Sequence, residues 1–233
     1  MGTDAFHELV AAFRKAGYAF RRFGEPAGPG VVYLRHDIDF SLDLAAAMAR
    51  EEQALGVTAT YFVMLTSNAY NLLSSASRRR VEEIQSLGHV VSLHFDPVVH
   101  QDIDAGFRRE ARILEEITGR PLDIVSLHRP GAFLEDNNRP LPGVRHTYED
   151  AYFRDIKYIS DSGGAFKYGH PLDSEAFREG RPIHLLLHPI WWMTGPGTPS
   201  DKVREWQAAA FGFLNDETRS NCLTFDGRSV LER

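Results

Sequence analysis

Apolar positions follow two spacings along this chain, and each spacing predicts its own kind of element. Apolar side chains at helical spacing predict helices over residues 4–16, 42–55, 75–87, 102–118 and 202–215. Short runs rich in apolar and β-branched residues predict strands over residues 31–34, 58–65, 89–94, 122–127, 157–160 and 182–187, with a last short strand over 223–225. Strands that alternate with helices are typical of a parallel sheet.

The number of these units sets the predicted fold class, which is α/β. Six or seven βα units in 233 residues fit an incomplete, TIM-like (β/α) barrel better than an open doubly wound sheet, which is the alternative. We expect one domain over residues 1–233: an N-terminal helix and connector (1–30), a barrel (31–192), and a C-terminal helix with the last strand (193–233). The polar segment 128–149 is longer than the usual connection and is therefore predicted to be functional.

Charged and imidazole side chains stand at the carboxyl ends of five predicted strands. They are Asp37 and Asp39, His94 and Asp96, His128 and Arg129, Asp161, and His188. In a parallel barrel these ends gather on one face, which is where barrel enzymes place their chemistry. Each residue also has a structural explanation, since an Asp-x-Asp pair fits a strand-end helix cap about as well as a site. Five coincident strand ends favour an active site.

The residue types at these strand ends narrow the chemistry. Asp37 and Asp39 are two residues apart and point the same way on an extended chain, so one could bind a cation while the other acts as a base. Carboxylates and imidazoles without thiolates suit Zn²⁺, Co²⁺, Mn²⁺ or Fe²⁺. Such a metal polarises a carbonyl and acidifies water, and His188 can protonate a departing amine. These parts suit metal-assisted hydrolysis of an amide or ester.

Composition excludes several other classes of protein. Apolar content of 43% and charged content of 25% are those of an ordinary soluble domain. The net charge of −6 and a single short basic run argue against a nucleic-acid partner. Cys222 is the only cysteine, which excludes an intrachain disulfide and a thiolate metal cluster. We find no signal-peptide pattern and no apolar run of membrane-spanning length, so we expect a cytoplasmic protein without a membrane span.

The order of the strand-end motifs resembles the NodB-homology polysaccharide deacetylases, carbohydrate esterase family 4. The likeness runs from about Val31 to Trp192, and the Asp-x-Asp form more narrowly resembles deacetylase-like proteins of lipopolysaccharide and surface-sugar synthesis. The resemblance implies a distorted (β/α) barrel that removes N- or O-acetyl groups from sugars. It also implies one divalent transition metal, zinc first and Co, Mn, Fe or Ni as alternatives, and a glycan or small-molecule substrate.

By this resemblance Asp37 is the base, and Asp39 and His94 are metal ligands. The chain departs from the family at two points: Ile38 separates the two aspartates, and Val98 stands where the family has its second metal histidine. The third ligand must therefore come from elsewhere. The candidates, in order of preference, are Asp96, His128 and His100.

The remaining motifs supply the other roles that the resemblance implies. Arg129 matches the arginine that orients the catalytic aspartate, Asp161 matches the residue that steadies the acid histidine, and His188 is the general acid. Four further residues are expected at the mouth of the site as substrate contacts: Trp191, Trp192, Tyr70 and Asn71. The two tryptophans fit core or interface aromatics equally well.

The sequence therefore predicts a metal-dependent N-deacetylase acting on an acetamido sugar. Hydrolysis of another small amide, such as a formamide, is the nearest alternative because the same groups serve any acyl C–N bond. An alternative of another class is a non-catalytic sugar-binding barrel without its metal, which Val98 suggests.

Overall fold

The computed structural model describes residues 1–137 and 139–227, without the side chains of residues 136 and 137. The α-helices of this part are α1 (Thr3–Lys15), α2 (Leu42–Ala54), α3 (Ser75–Ser86), α4 (Ile103–Thr118), α5 (Gly131–Asn137), α6 (Asp150–Phe153), α7 (Glu175–Arg178), α8 (Pro189–Met193) and α9 (Pro199–Asn221). The strands are β1 (Ala19–Arg21), β2 (Val31–Ile38), β3 (Thr60–Val63), β4 (Val90–Phe95), β5 (Ile124–Leu127), β6 (Arg145–His146), β7 (Lys157–Ser160) and β8 (Ile183–Leu187). Among the described helices, none has both the length and the apolar character needed to cross a membrane.

The strands form one sheet in the order β6-β5-β4-β3-β2-β8-β7, with β1 attached beside β2. Each pair of these strands is parallel. The cyclic order is that of a barrel, whereas a doubly wound sheet reverses its order at a switch point. Within the described residues β6 and β7 are the two ends of the order, so the barrel stays open between them. The predicted distorted, incomplete (β/α) barrel is confirmed.

Three predictions about individual strands need correction. β1 and β6 lie in segments that the sequence predicted as connections, because strands of three and two residues are too short to show a periodic pattern. Residues 223–225, predicted as a last strand, adopt a turn and an irregular conformation instead. Leu223 is 98% exposed, so this apolar side chain packs against neither the sheet nor the core within residues 1–137 and 139–227.

Helix boundaries follow the local capping chemistry. Ser41 accepts a hydrogen bond from the backbone of Leu44 (3.3 Å) and starts α2 directly after the charged end of β2. The helix ends before Gly56, which adopts a left-handed φ of 63° that favours glycine. Helix α9 begins at Pro199, earlier than predicted, because Thr198 and Asp201 form a capping box.

The two faces of the sheet have different interiors. The larger apolar core lies between the sheet and the helices and includes Val32, Leu34 and Ile38 of β2. A smaller cluster inside the barrel contains Tyr33 and Phe62. Since side chains alternate along a strand, residues two and four positions beyond Tyr33 face the same interior. The interior therefore changes from aromatic to charged as β2 approaches its carboxyl end.

Candidate active site

Three potential ligand atoms converge at the carboxyl ends of β2, β4 and β5. His94 Nε2 lies 3.3 Å from Asp39 Oδ1, and His128 Nδ1 lies 3.6 Å from the same oxygen. The two imidazole nitrogens are 3.2 Å apart. Tetrahedral zinc, with bonds of about 2.0–2.1 Å, holds neighbouring ligand atoms about 3.3 Å apart. The triangle therefore has the size that a small divalent transition metal requires.

Two further observations show that these residues fit a metal ion. Asp39 Oδ1 is buried without a hydrogen-bond partner among the described residues, and an orphaned buried carboxylate oxygen is costly unless a cation satisfies it. Burial and the neighbouring His94 lower the pKa of His128, which keeps this imidazole neutral as a metal ligand requires. One carboxylate oxygen and two imidazole nitrogens are a donor set that suits zinc and its neighbours.

Ser126 of β5 orients His94. Its Oγ lies 2.6 Å from His94 Nδ1 and donates to Asp37 Oδ1 at 3.2 Å. Because the single hydroxyl proton goes to Asp37, the serine oxygen accepts from the Nδ1–H of His94. The lone pair of His94 Nε2 is then directed at the ligand triangle, which is the tautomer that a metal needs.

The first choice for the third ligand, Asp96, lies outside this group. After β4 the chain turns into a 3₁₀ helix (Pro97–Val99), and Asp96 caps it by accepting from the backbone of Val98 at 3.1 Å. Its other oxygen lies 4.0 Å from His128 Nε2, on the far side of that imidazole. His100, the third choice, pairs with Glu110 at 2.5 Å. The structure thus brings in the second choice, His128, from the neighbouring strand.

Asp37 lies beside the triangle and is held by Arg35. The guanidinium makes two hydrogen bonds to the carboxylate, Nε to Oδ1 at 2.8 Å and Nη2 to Oδ2 at 2.7 Å, and Nη1 donates to Thr147 at 2.7 Å. Burial raises the pKa of Asp37, but Arg35 and the nearby histidines hold it well below its usual range. Asp37 is therefore a permanently ionised, rigidly placed carboxylate.

The resemblance assigned that orienting role to Arg129, and the structure gives it to Arg35. Arg129 is exposed in the loop after β5, with a left-handed φ of 48°. Arg35 is fully buried, two residues before Asp37 on the same strand. The period of two along β2 was the available signal, because it places both side chains on one face.

His188 lies beside Asp39 of the triangle and is held by Asp161. Its Nδ1 is 2.6 Å from Asp161 Oδ1, and its Nε2 is 3.7 Å from Asp39 Oδ2. Burial lowers the pKa of His188, but the charge and hydrogen bond of Asp161, with smaller contributions from Asp39 and Asp37, raise it to about 9. The imidazole is therefore protonated at neutral pH, with Nε2–H directed at the site.

The four residues expected at the mouth of the site have structural contacts. Trp191 and Trp192 are 6% and 2% exposed, so neither indole presents an open face to a sugar. Trp192 Nε1 donates to Asp161 Oδ2 at 2.7 Å, so Trp192 helps to position the carboxylate that holds His188. Tyr70 ties two strand ends together, accepting from Met64 N and donating to Ile38 O. Asn71 is exposed and caps its own turn through Leu73 N.

The space beside these groups is small. A cavity of about 10 Å³ is bordered by Asp37, Asp39 and His188, and this is room for about one water molecule. Asp39, His128 and His188 keep 22%, 18% and 10% of their side chains exposed, so the site can be reached from the surface. An ionised carboxylate, a protonated imidazole and one corner of the ligand triangle, Asp39, thus border one small, accessible space.

Comparisons with known proteins add the following. No protein-family model and no curated protein matches the sequence. Among solved structures, a carbohydrate esterase family 4 pseudoenzyme from Bacillus anthracis shares 12% identity over 79% of this chain, with a TM-score of 0.46. This chain spans 62% of that pseudoenzyme, less than two thirds of its length.

Two further structures were found. A family 4 carbohydrate esterase from Bacillus anthracis shares 13% identity with this chain, and the TM-score is 0.43. The match covers 91% of this chain and 86% of the esterase chain. The chitin deacetylase of Colletotrichum lindemuthianum has 16% identity, coverage of 78% and 83%, and a TM-score of 0.42. The two Bacillus anthracis structures carry the family name that the motif order suggested, and the Asp-x-Asp subgroup stays a prediction. The roles of the site residues rest on the geometry alone.

Proposed function

We propose that this protein is a metal-dependent hydrolase that removes an acetyl group from the nitrogen of an acetamido sugar. The proposal rests on the triangle of Asp39, His94 and His128, with Asp37 beside His94 and His188 beside Asp39. A divalent ion held by the triangle would polarise the acyl carbonyl and lower the pKa of water beside it. The chain's own groups then move the protons.

Asp37 is the proposed base. Its lowered pKa keeps it ionised at every working pH, and Arg35 fixes both of its oxygens. It takes a proton from water as the water oxygen forms a bond to the acyl carbon. A carboxylate of such low basicity needs an acidified water as its partner, which agrees with a site built around a metal.

His188 is the proposed acid. Asp161 accepts its Nδ1–H, so the second proton, on Nε2, faces the small space beside Asp39. As the C–N bond breaks, this proton goes to the departing amine, which is a poor leaving group unless it is protonated. Arg35, Asp161 and Trp192 are positioning residues in this scheme, because each acts through another side chain.

Two features favour this proposal over the alternatives. His128 lies beside Asp39 and His94 and can supply the ligand that Val98 does not, which weakens the sequence argument for a metal-free binding barrel. An ionised base and a protonated acid beside the triangle are what hydrolysis needs and sugar binding alone does not, and they serve formyl and acetyl groups alike. Substrate profiling with formylated and acetylated sugars separates the deformylase alternative from the deacetylase.

The deciding experiment compares Asp37→Asn with the unaltered protein. We expect both proteins to hold about one metal ion per chain, and acetate release to fall by about 10²- to 10⁴-fold in the variant, the usual contribution of a general base. Metal content is measured by elemental analysis and acetate by a coupled assay. Asp123→Asn makes the same chemical change at an exposed aspartate and serves as the control. Full acetate release by a folded Asp37→Asn protein would contradict the proposal.

A further inference from the structure

A groove lies beside β7, apart from the small cavity at Asp37. It has a volume of about 570 Å³ and is lined mainly by residues 153–160, which include β7, and by residues 167–169. Strand β7 is the edge of the sheet, so the groove, called here the edge groove, follows the opening of the barrel. Ser160 and Ser162 line it and flank Asp161, whose carboxylate holds His188. Two residues that line the edge groove are therefore the sequence neighbours of Asp161.

The charge of the edge groove is opposite to that of the whole chain. The net charge of the chain is −6, yet four cationic side chains and a single acidic one line the groove. They are Arg154, Lys157, Lys167 and Arg181, against Asp155. Two of the cations are neutralised, because Arg154 pairs with Asp150 and Arg181 pairs with two glutamates. The other two cations, Lys157 and Lys167, are not neutralised in this way by the residues that the structure describes.

Lys157 and Lys167 are exposed and form no ion pair with any residue in the described part of the chain. A Cβ placed on Gly163 would lie 3.7 Å from Lys167 Nζ, so this ammonium lies against the turn that carries Asp161. The hydroxyls of Ser160 and Ser162 are 2.6 Å apart on the same turn. Lys167 and the two hydroxyls thus border the groove at the carboxyl end of β7, and Lys157 borders it at the other end of the strand.

We infer that the edge groove binds a phosphate group carried by the substrate. A phosphate ester has a charge of about −1.5 to −2 and three acceptor oxygens, which match ammonium and hydroxyl donors. The inference rests on the proposed function and narrows its substrate class to phosphate-linked acetamido sugars. The acetamido group lies at Asp37 and His188, and the phosphate extends along β7.

The test is a comparison of two ligands that differ only in the phosphate. N-acetylglucosamine 1-phosphate and N-acetylglucosamine are titrated into the full-length protein by calorimetry. We expect the phosphorylated sugar to bind at least about tenfold more tightly, and added salt to reduce the difference. Equal affinities for the two sugars would overturn the inference.

The lysines are tested by a double variant. Lys157→Gln with Lys167→Gln is expected to abolish the preference for the phosphorylated sugar, whereas arginine at both positions should retain it because the charge is kept. Lys15→Gln removes one exposed positive charge from α1, outside the groove, and should leave the preference unchanged. A preference that persists in the double glutamine variant would also overturn the inference.

Phosphate could belong to a nucleotide or to a lipid diphosphate, and further titrations separate the two sources. A uridine diphosphate sugar that gains affinity, and loses the gain in Tyr168→Ala, indicates a nucleotide, since Tyr168 is 94% exposed in the groove and could stack on a base. A gain shown only by a prenyl diphosphate sugar indicates a lipid.

The outcomes also separate this inference from the proposed function. If the protein prefers the phosphorylated sugar but releases no acetate, the phosphate-binding groove is supported and the proposed deacetylase function is rejected. If the protein releases acetate but shows no preference for the phosphorylated sugar, the deacetylase function is supported and the phosphate-binding groove is rejected.

Discussion

Two buried polar clusters lie on opposite faces of β2, and they differ in how completely their atoms are paired. The site cluster faces the barrel interior and consists of Arg35, Asp37, Asp39, His94, His128, Asp161 and His188. The helix-side cluster faces α2 and consists of His36, Glu52, Tyr61 and His89. In the helix-side cluster, Glu52 bonds His36 at 2.6 Å and Tyr61 at 2.5 Å, and its members have at most 2% exposure.

The difference shows what distinguishes a site from a structural network. The polar side-chain atoms of the helix-side cluster have partners: His36 also reaches Leu187 O, and His89 bridges Ala49 O and Ala59 N. In the site cluster, Asp39 Oδ1 has no hydrogen-bond partner in the described part of the chain, although two imidazole nitrogens face it. Burial of charge is common to both clusters. Of the two clusters, the site cluster is the one in which a buried carboxylate oxygen faces other polar atoms without forming a hydrogen bond to them, and this arrangement points to a bound ion.

Removing a carboxylate from each cluster should give the largest contrast in metal content and activity. Asp39→Ala takes away one corner of the triangle, so we expect the metal to fall from about one ion per chain to none and acetate release to fall more than about a thousandfold. Glu52→Gln should keep the metal. Elemental analysis and acetate assays check both variants, and metal retained by Asp39→Ala would disprove the assigned triangle.

Stability should respond in the opposite way. Glu52→Ala leaves His36 and Tyr61 buried without their partner, and we expect the free energy of unfolding to fall by about 3–5 kcal/mol. Asp39→Ala removes an unsatisfied carboxylate, so the metal-free protein should change by less than about 1 kcal/mol. Urea unfolding of the metal-free proteins measures both values. If Glu52→Ala does not fold, Glu52→Gln removes the carboxylate charge with less disruption and is measured instead. Equal losses of unfolding free energy at Glu52 and Asp39 would refute the distinction between the clusters.

The smallest expected effect is a shift in pH dependence. Asp161 raises the pKa of His188 to about 9, against an ordinary value of 6.5. This pairing therefore stabilises the fold fully below about pH 6.5 and is lost as the pH rises through 9. Asp161→Asn should move the alkaline limb of activity, and the titration of His188 seen by NMR, downward by at least about one unit.

Trp192→Phe is the matched control for that shift. It removes the hydrogen bond to Asp161 Oδ2 and leaves the carboxylate charge in place. The pKa of His188 should then stay raised. An alkaline limb that does not move in Asp161→Asn would mean that the aspartate does not set the protonation of His188.

The sequence could predict most of the fold and the location of the site. Short runs rich in apolar and β-branched residues identified β2, β3, β4, β5, β7 and β8 to within a few residues, and the strand-end charges pointed to one face of a parallel barrel. Strands β1 and β6 were missed because a strand of two or three residues depends on its neighbours for its conformation. Residues 223–225 were wrongly predicted as a strand, because an apolar pattern in the sequence does not show whether a neighbouring strand is available for pairing.

Local chain geometry determined what lies within one strand. Arg35, Asp37 and Asp39 share a face because side chains alternate along β2, and that fact needs only the sequence. The same rule favoured Asp96 as the partner of His94, since the two are also two residues apart. It could not foresee that the chain turns after Phe95 and directs Asp96 to the backbone of Val98.

Tertiary structure decided everything that depends on which strand lies beside which. His128 joins the triangle because β5 pairs with β4 in a register that sets Ser126 opposite His94, and a shift of one residue would turn His128 away. Trp192 supports Asp161 although 31 residues separate them. The edge groove exists because the barrel stays open beside β7. Sequence spacing specifies the direction of a side chain along one strand, whereas distances between strands follow from packing and pairing over the whole sheet.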